Sequence, residues 1–445
     1  MVDRRSETRE RTMAGTLSRS ELAALQAIRE RGQTTRGDVA TTLGLGQPMI
    51  ARVVGHLQSM GLVRETGRTA PTGSGRQPLL LEIHPDAAYV AGIDIGTEVI
   101  HTLVADLHGT PRTYREAPSA LLAEKTHGEI VTVLADLERE VVREAEPAFE
   151  RVGAVGVAIT GIIDSDNGIC LARSNTPGWD DFPLAHQLSL ALGIPVVLEE
   201  TARAKSVAEL RLGAARGLSH YLYVEAGLAI GASIVIDGQP FRGVSGLAGE
   251  LGHVTVDPGG ELCRCGNRGC VQASASALAL VRRARDVLKG GVFSSLARVG
   301  DGLTLADVSA AAAEGDKLAL NLLTEAGERL GEAIGMALNL LGLDVVVMGG
   351  PLAQCSPVVL EAARRIMTLR VLPIVPRERV LVCSALGSDA AARGVALHAS
   401  NWLLDAPVER LLAGDTSGGD GRTTQGTALA VPHAGRIGIE GGTSA

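Results

Sequence analysis

Between Gly249 and Gln272 the chain reads GELGHVTVDPGGELCRCGNRGCVQ, and three of its six cysteines fall in that stretch. Cys263, Cys265 and Cys270 lie within eight residues, ten positions after His253. Three thiolates and one imidazole complete a tetrahedral zinc set and leave no position for water, which makes the chemistry structural rather than hydrolytic. Gly259, Gly260, Gly266 and Gly269 let a short knuckle turn back so that the sulfurs face one ion. Three buried cysteines that meet no metal are the alternative. Disulfides are not expected, because Cys170, Cys355 and Cys383 are scattered and nothing marks the chain as secreted.

A second group of residues suits nucleic acid. Gln47, Met49, Arg52 and His56 fall on one exposed side of an amphipathic run whose other side is Ile50, Val53, Val54 and Leu57. Arg64, Arg68 and Arg76 follow within a Gly/Thr-rich segment. Side chains of the first set would face base edges in the major groove, and the three arginines would meet phosphates or the minor groove.

The elements that must position these residues carry local signals. Ser18 and Glu21 form a capping box and Leu17 pairs with Leu22 as a staple, so a helix runs with Leu22, Leu25 and Ile28 on its apolar face until Gly32. A second short helix starts at Thr35, with Asp38 as its box partner. After the turn Gly44-Leu45-Gly46, Pro48 in the first turn opens a third helix near Gln47. Strands at 62–65 and 78–83, joined by a Gly/Thr/Arg loop, complete a winged helix-turn-helix. A module of this kind used only for protein contacts is the alternative.

From Tyr89 the pattern changes. Tyr89–Gly96 is an apolar strand entering a turn, with an antiparallel return over 99–106. Further strands are expected at 152–159, 195–198, 221–236 (a hairpin) and 345–348, alternating with helices at 128–147, 203–213 and 318–341, which indicates a mixed α/β sheet. The expected organisation is an arm at 1–16, a DNA-binding domain at 17–85, a sensor domain at 86–402 and a disordered tail at 403–445.

The pattern GE-x-GH followed by C-x-C-G-x-x-G-C resembles the ROK family (repressors, open reading frames and sugar kinases). The resemblance runs from about Tyr89 to His398, and the G-R-x-P step at Gly75–Pro78 resembles the head of the family's repressors. It implies two actin-like ATPase lobes with a cleft between them, zinc on the histidine and cysteines, and a sugar pocket. Gly161, Asn175, Glu200, Glu250, His253 and Gln272 would line that pocket. A carboxylate and an imidazole side by side suit paired hydroxyls, and zinc on one ring nitrogen of His253 would fix its orientation.

Phosphoryl transfer needs a base at the sugar hydroxyl and glycine turns for the phosphates. Where the family's kinases have E-N-D-A-N, this chain has Glu199-Glu200-Thr201-Ala202-Arg203, so a threonine stands in place of the base. The first phosphate loop, D-x-G-G-T-K in kinases, reads Asp94-Ile95-Gly96-Thr97-Glu98-Val99, and the second reads Gly227 to Ser233 as GLAIGAS. Each Cβ added to such a nest blocks the approach of phosphate. The resemblance together with these departures points to a sugar-responsive repressor without catalytic residues, acting as a homodimer or homotetramer on a double-stranded operator. A ROK sugar kinase with an added head is the rival.

Composition agrees with that division. Residues 1–85 hold 12 Arg against 8 acidic residues, a balance of +4, while the rest holds 30 basic against 42 acidic residues, −12. A basic head on an acidic body suits a chain whose first domain alone meets a polyanion. The first twenty residues contain no apolar run and no stretch of about 18 apolar residues follows, so neither a signal peptide nor a membrane span is expected and the expected compartment is the cytoplasm.

Overall fold

The computed structural model describes residues 17–70, 77–145, 151–173, 178–244, 246–373 and 380–405. The arm and nearly all of the tail expected from the sequence lie outside them. Ser18 Oγ accepts from the Glu21 amide while the Glu21 carboxylate accepts from the Ser18 amide at 2.7 Å, and this reciprocal cap starts α1 (Arg19–Arg31). Thr35 and Asp38 repeat the device at α2 (Arg36–Leu43), just after a two-residue strand β1 (Thr34–Thr35) that the sequence did not signal. Gly44 ends α2 at φ 64°, a left-handed conformation that costs glycine nothing, and Pro48 then opens α3 (Gln47–Ser59). Strands β2 (Val63–Arg68) and β3 (Leu79–Ile83) pair antiparallel, with β1 on the far side of β3. Leu25, Ile28, Val39, Ile50, Val54, Leu57 and Leu81 are buried between the helices and this sheet.

The body repeats one sheet plan twice. In the first lobe β4 (Tyr89–Ile95), β5 (Val99–Asp106) and β6 (Pro111–Pro118) form an antiparallel meander. After α4 (His127–Glu144), β7 (Val152–Ile159) adds parallel to β4. The small hairpin β8 (Ile162–Asp164) and β9 (Ile169–Ala172) and helix α5 (Leu184–Leu192) then lead to β10 (Val196–Glu200), parallel to β7. Helix α6 (Thr201–Leu212) passes to the second lobe, where β11 (Tyr221–Ala226), β12 (Ile230–Ile236) and β13 (Gln239–Phe241) form another meander. Helices α7 (Val271–Ala275), α8 (Ala277–Lys289), α9 (Leu305–Ala313) and the long α10 (Lys317–Leu341) precede β14 (Val345–Gly349), parallel to β11. After α11 (Pro351–Cys355) and α12 (Pro357–Arg370), β15 (Val380–Cys383) completes the order β13-β12-β11-β14-β15, which mirrors β6-β5-β4-β7-β10. Three antiparallel strands and two parallel ones, made twice, give the expected mixed α/β fold with two actin-like lobes.

The last helix, α13 (Ala390–Asp405), returns to the first lobe, and its final residues are helical where the sequence placed the start of the tail. It lies directly on the sheet: a Cβ on Gly92 would sit 2.1 Å from the Ala392 carbonyl oxygen, and one on Gly156 would sit 2.1 Å from that of Val395. Every residue of β4 is buried, as a central strand covered on both faces requires. Among the described residues no helix is long and apolar enough to cross a membrane.

One core residue is out of place chemically. Glu138 of α4 is 1% exposed among Leu134, Ala135, Val141 and Val142, and among the described residues neither carboxylate oxygen has a hydrogen-bond partner. Burial pushes its pKa up to about 8, so it is held neutral at pH 7. The folded state therefore keeps a proton that the unfolded chain releases near 4.5, and stability falls as pH rises from about 4.5 through about 8. Glu138→Leu should stabilise the protein, with a gain that grows toward roughly 2–4 kcal/mol at pH 8. Thermal melts at pH 5.5 and 8.5 measure this; an equal gain at both would contradict it.

Candidate functional site

In the head, Gln47, Met49, Arg52 and His56 are all exposed on α3, opposite the buried Ile50, Val53, Val54 and Leu57. Three of the seven expected nucleic-acid residues are already engaged within the head. His56 Nδ1 lies 2.6 Å from Glu21 Oε1, which ties α3 to the first turn of α1, and Arg64 Nη2 is 2.7 Å from Glu82 Oε1. Arg68 donates to the Gln77 carbonyl at 3.0 Å, which shapes the wing. Arg76 lies outside the described residues. Arg52 lies on the same exposed face and, among the described residues, joins no ion pair; its Nη2 donates to Met49 Sδ at 3.0 Å.

In the body, the GE-x-GH segment crosses β12 at backbone distance. The Ala232 amide donates to the Gly249 carbonyl at 2.9 Å, and a Cβ on Gly249 would lie 2.0 Å from the Ala232 oxygen. A Cβ on Gly252 would meet the Ile230 oxygen at 2.1 Å, so both motif glycines are demanded by packing. The crossing presents Glu250 and His253 on one short turn, with Nε2 of the histidine 3.8 Å from Glu250 Oε2.

The other face of the His253 ring meets the cysteines. Nδ1 lies 3.7 Å from Cys263 Sγ, Cys265 and Cys270 Sγ atoms are 3.7 Å apart, and the four donor atoms all lie within 4.8 Å of one another. Zinc–sulfur bonds of about 2.3 Å at tetrahedral angles put sulfurs roughly 3.8 Å apart, so this donor set fits one four-coordinate zinc. Burial and the neighbouring cysteines push the Cys270 thiol up to about 12, a shift that a bound cation would reverse.

The remaining described residues expected to line a sugar pocket lie after β7, at the end of β10 and on α7. Gly161, at φ 152°, lets the chain pass the Ala172 carbonyl, which would lie 2.4 Å from a Cβ. Glu200 does not project freely from its strand: its Oε2 accepts from the amides of Ala202 (2.8 Å) and Arg203 (3.1 Å) and caps α6, and burial raises its pKa to about 7. Gln272 Oε1 accepts from the Ile230 amide at 3.2 Å. Asn175 lies outside the described residues. Thr201, in the place of a kinase base, is buried and hydrogen-bonds to Thr160 at 3.1 Å.

Two ionic networks in the cleft were not anticipated. Glu199, 1% exposed, accepts from Arg203 Nε at 2.6 Å and Arg242 Nη2 at 2.6 Å, and Arg203 Nη1 reaches the Gly246 carbonyl at 2.9 Å. Burial alone would raise Glu199, but Arg203, His398 and Arg242 pull it down to about 2. This pins the loop after β13, from the second lobe, onto the end of β10 in the first. Beside the second glycine turn, Lys205 Nζ lies 2.8 Å from Glu225 Oε1 and the Tyr223 hydroxyl donates to Glu225 Oε2 at 2.7 Å. Burial alone would depress Lys205, but Glu225 and Asp94 hold it above its ordinary range. A Cβ on Gly349 would sit 2.3 Å from the Tyr223 hydroxyl, and one on Gly227 3.3 Å from Glu225 Oε1. Glu225, an acid two residues before the second glycine turn, and Arg203, at the last position of E-N-D-A-N, were the signals that could have revealed both networks.

Comparison with known proteins places this geometry. The sequence pattern of the ROK family matches residues 90–401, more than half of the chain. The xylose repressor of Bacillus subtilis (strain 168) is 28% identical over 384 residues, 86% of this chain and 94% of that protein. The crystal structure of a ROK family transcriptional regulator, a homologue of the E. coli MLC protein, has a TM-score of 0.75 and 25% identity, covering 88% of this chain and 97% of that one. A ROK hexokinase from Thermus thermophilus has a TM-score of 0.60 and 30% identity; it is covered in full by 72% of this chain.

The donor geometry gives a direct expectation. Metal analysis of the purified protein should return about one zinc per chain, and Cys265→Ser should lose most of it together with several degrees of melting temperature. A Cys265→Ser protein with full metal content would contradict the assignment.

Proposed function

The protein belongs to the ROK family, and from that premise we propose that it is a DNA-binding transcriptional repressor whose kinase-like cleft senses a sugar and does not phosphorylate it. The observation that supports this reading is the pairing, in one chain, of a winged helix with Arg52 exposed on its outer face and a kinase-like body in which Lys205, Glu225 and Tyr223 pack together beside the second glycine turn. Catalysis would need a base where Thr201 stands and open glycine turns where Tyr223 and Glu225 lie. Sensing needs neither. It needs hydroxyl partners held in place, and Glu250 with His253 on one rigid turn supplies them.

In this reading His253, Cys263, Cys265 and Cys270 hold a structural zinc through Nδ1 of the histidine, leaving Nε2 to face the sugar beside Glu250. A zinc held there would supply rigidity, while the residues of the cleft do the recognising. A sugar that draws the lobes together alters the placement of two heads in a homodimer or homotetramer, so that their spacing no longer matches two operator half-sites. The longer coverage of repressor and regulator relatives, 86% and 88% of this chain against 72% for the hexokinase, supports the reading, because a head belongs to the matched region only in the former.

Two measurements test it. With Mg-ATP and glucose, xylose or N-acetylglucosamine, the protein should release no ADP above background, while at least one sugar of a broad panel raises its melting temperature. Sugar-dependent ADP release that disappears in Thr201→Val would instead establish a kinase. Arg52→Ala should weaken binding to the selected DNA about tenfold or more, as loss of a base or phosphate contact does, without lowering the melting temperature; unchanged binding would place the DNA contact elsewhere.

A further inference from the structure

Two helices join the cleft to the head. Helix α6 begins at the cleft, where Glu200 caps it and Arg203 bolts its first turn to Glu199 and to the Gly246 carbonyl of the second lobe. At its other end, about 18 Å away for twelve residues, Arg211 Nη1 donates at 3.1 Å to the carbonyl of Arg29, in the last turn of α1. Helix α13 lies against α6 with no side chain between them: a Cβ on Gly394 would be 1.8 Å from the Ala204 oxygen. It too ends on Arg29, whose Nη1 donates to the Asn401 carbonyl at 3.1 Å and to Asp405 Oδ1 at 2.9 Å. Around these bonds Ala24, Leu25 and Ile28 of the head share one buried cluster with Ala399, Leu403 and Leu404 of α13. From α1 the connection continues to the exposed face of α3 through the 2.6 Å pair of Glu21 and His56.

We propose that α6 is a strut carrying the state of the cleft to the DNA head, and that Arg211 is the positioning residue through which it acts on α1. This rests on the reading of the cleft as an effector site. The physical argument is stiffness. A ligand that engages Glu200, or that lifts the loop holding Gly246, reseats the first turn of α6, and a helix transmits that displacement to its last turn with little loss. There Arg211 adds a second donor, at 3.1 Å, to the Arg29 carbonyl, which already accepts the Gly32 amide at 3.2 Å where the helix ends. The coupling is a demonstrable one only if both ends bias the same element, which makes it open to a double-mutant cycle.

The experiment is hydrogen–deuterium exchange on the full-length protein, without DNA or sugar, so that it judges the strut independently of whether a sugar is ever found. Glu200→Ala removes the cap of α6 and should raise exchange in residues 201–212 and in residues 19–31 by about fivefold, the equivalent of a lost cap. In an Arg211→Met background the response at 201–212 should persist and that at 19–31 should vanish. Arg211→Lys, which keeps the charge and a single donor group, is the second background should the first fail to fold, and there the response at 19–31 should be reduced. A head that ignores Glu200→Ala in the wild-type background, or responds equally in all backgrounds, would overturn the proposal.

Discussion

Everything in this molecule depends on how closely α13 lies to its neighbours. At Gly92 and Gly156 the helix backbone touches the first sheet, and at Gly394 it touches α6, with no space for a single methyl group. Close-packed backbone has few ways to adjust, because relief of one contact strains the next. The β4–β7 floor of the cleft, α6 with its capping Glu200, and the seat of the head on Asn401 and Asp405 are consequently parts of one rigid frame. A body of this kind suits a protein that must report on its cleft at a distance.

The charges follow the same logic. A kinase leaves its glycine turns open and brings in charge with the nucleotide. Here the charge is built in: Lys205 against Glu225 beside the second glycine turn, and Glu199 between Arg203 and Arg242 where the lobes meet. Buried ion pairs are poor sources of net stability, because desolvation offsets most of the attraction, but removing one partner is costly. Such pairs fix geometry more than they add stability. Here they fix the second lobe's loop to the first lobe and hold Lys205 and Tyr223 against Glu225 beside the second glycine turn.

Much of this was legible in the residues. The capping boxes at Ser18 and Thr35, Pro48 at the start of α3, and the apolar spacing of Ile50, Val53, Val54 and Leu57 are local signals, and local hydrogen bonds realise them. The cluster of His253 with three cysteines was legible because metal ligands must be close, and close spacing in sequence is one way to achieve it. What escaped notice depends on distant partners. Arg64 with Glu82, Lys205 with Glu225, and Arg242 with Glu199 are cross-strand or cross-lobe pairs whose members no spacing rule connects. Glu200 illustrates a nearer failure: the resemblance implies a carboxylate lining the pocket, but the helix that starts at the next residue offers two free amides, and its carboxylate turns to them.

The account stands or falls on whether the head reads DNA. The most direct measurement is selection of genomic fragments by the purified full-length protein, read out by sequencing. The account predicts enrichment of a discrete inverted-repeat site, as two symmetry-related heads require. Fragments recovered at background frequency, with no shared site, would contradict it.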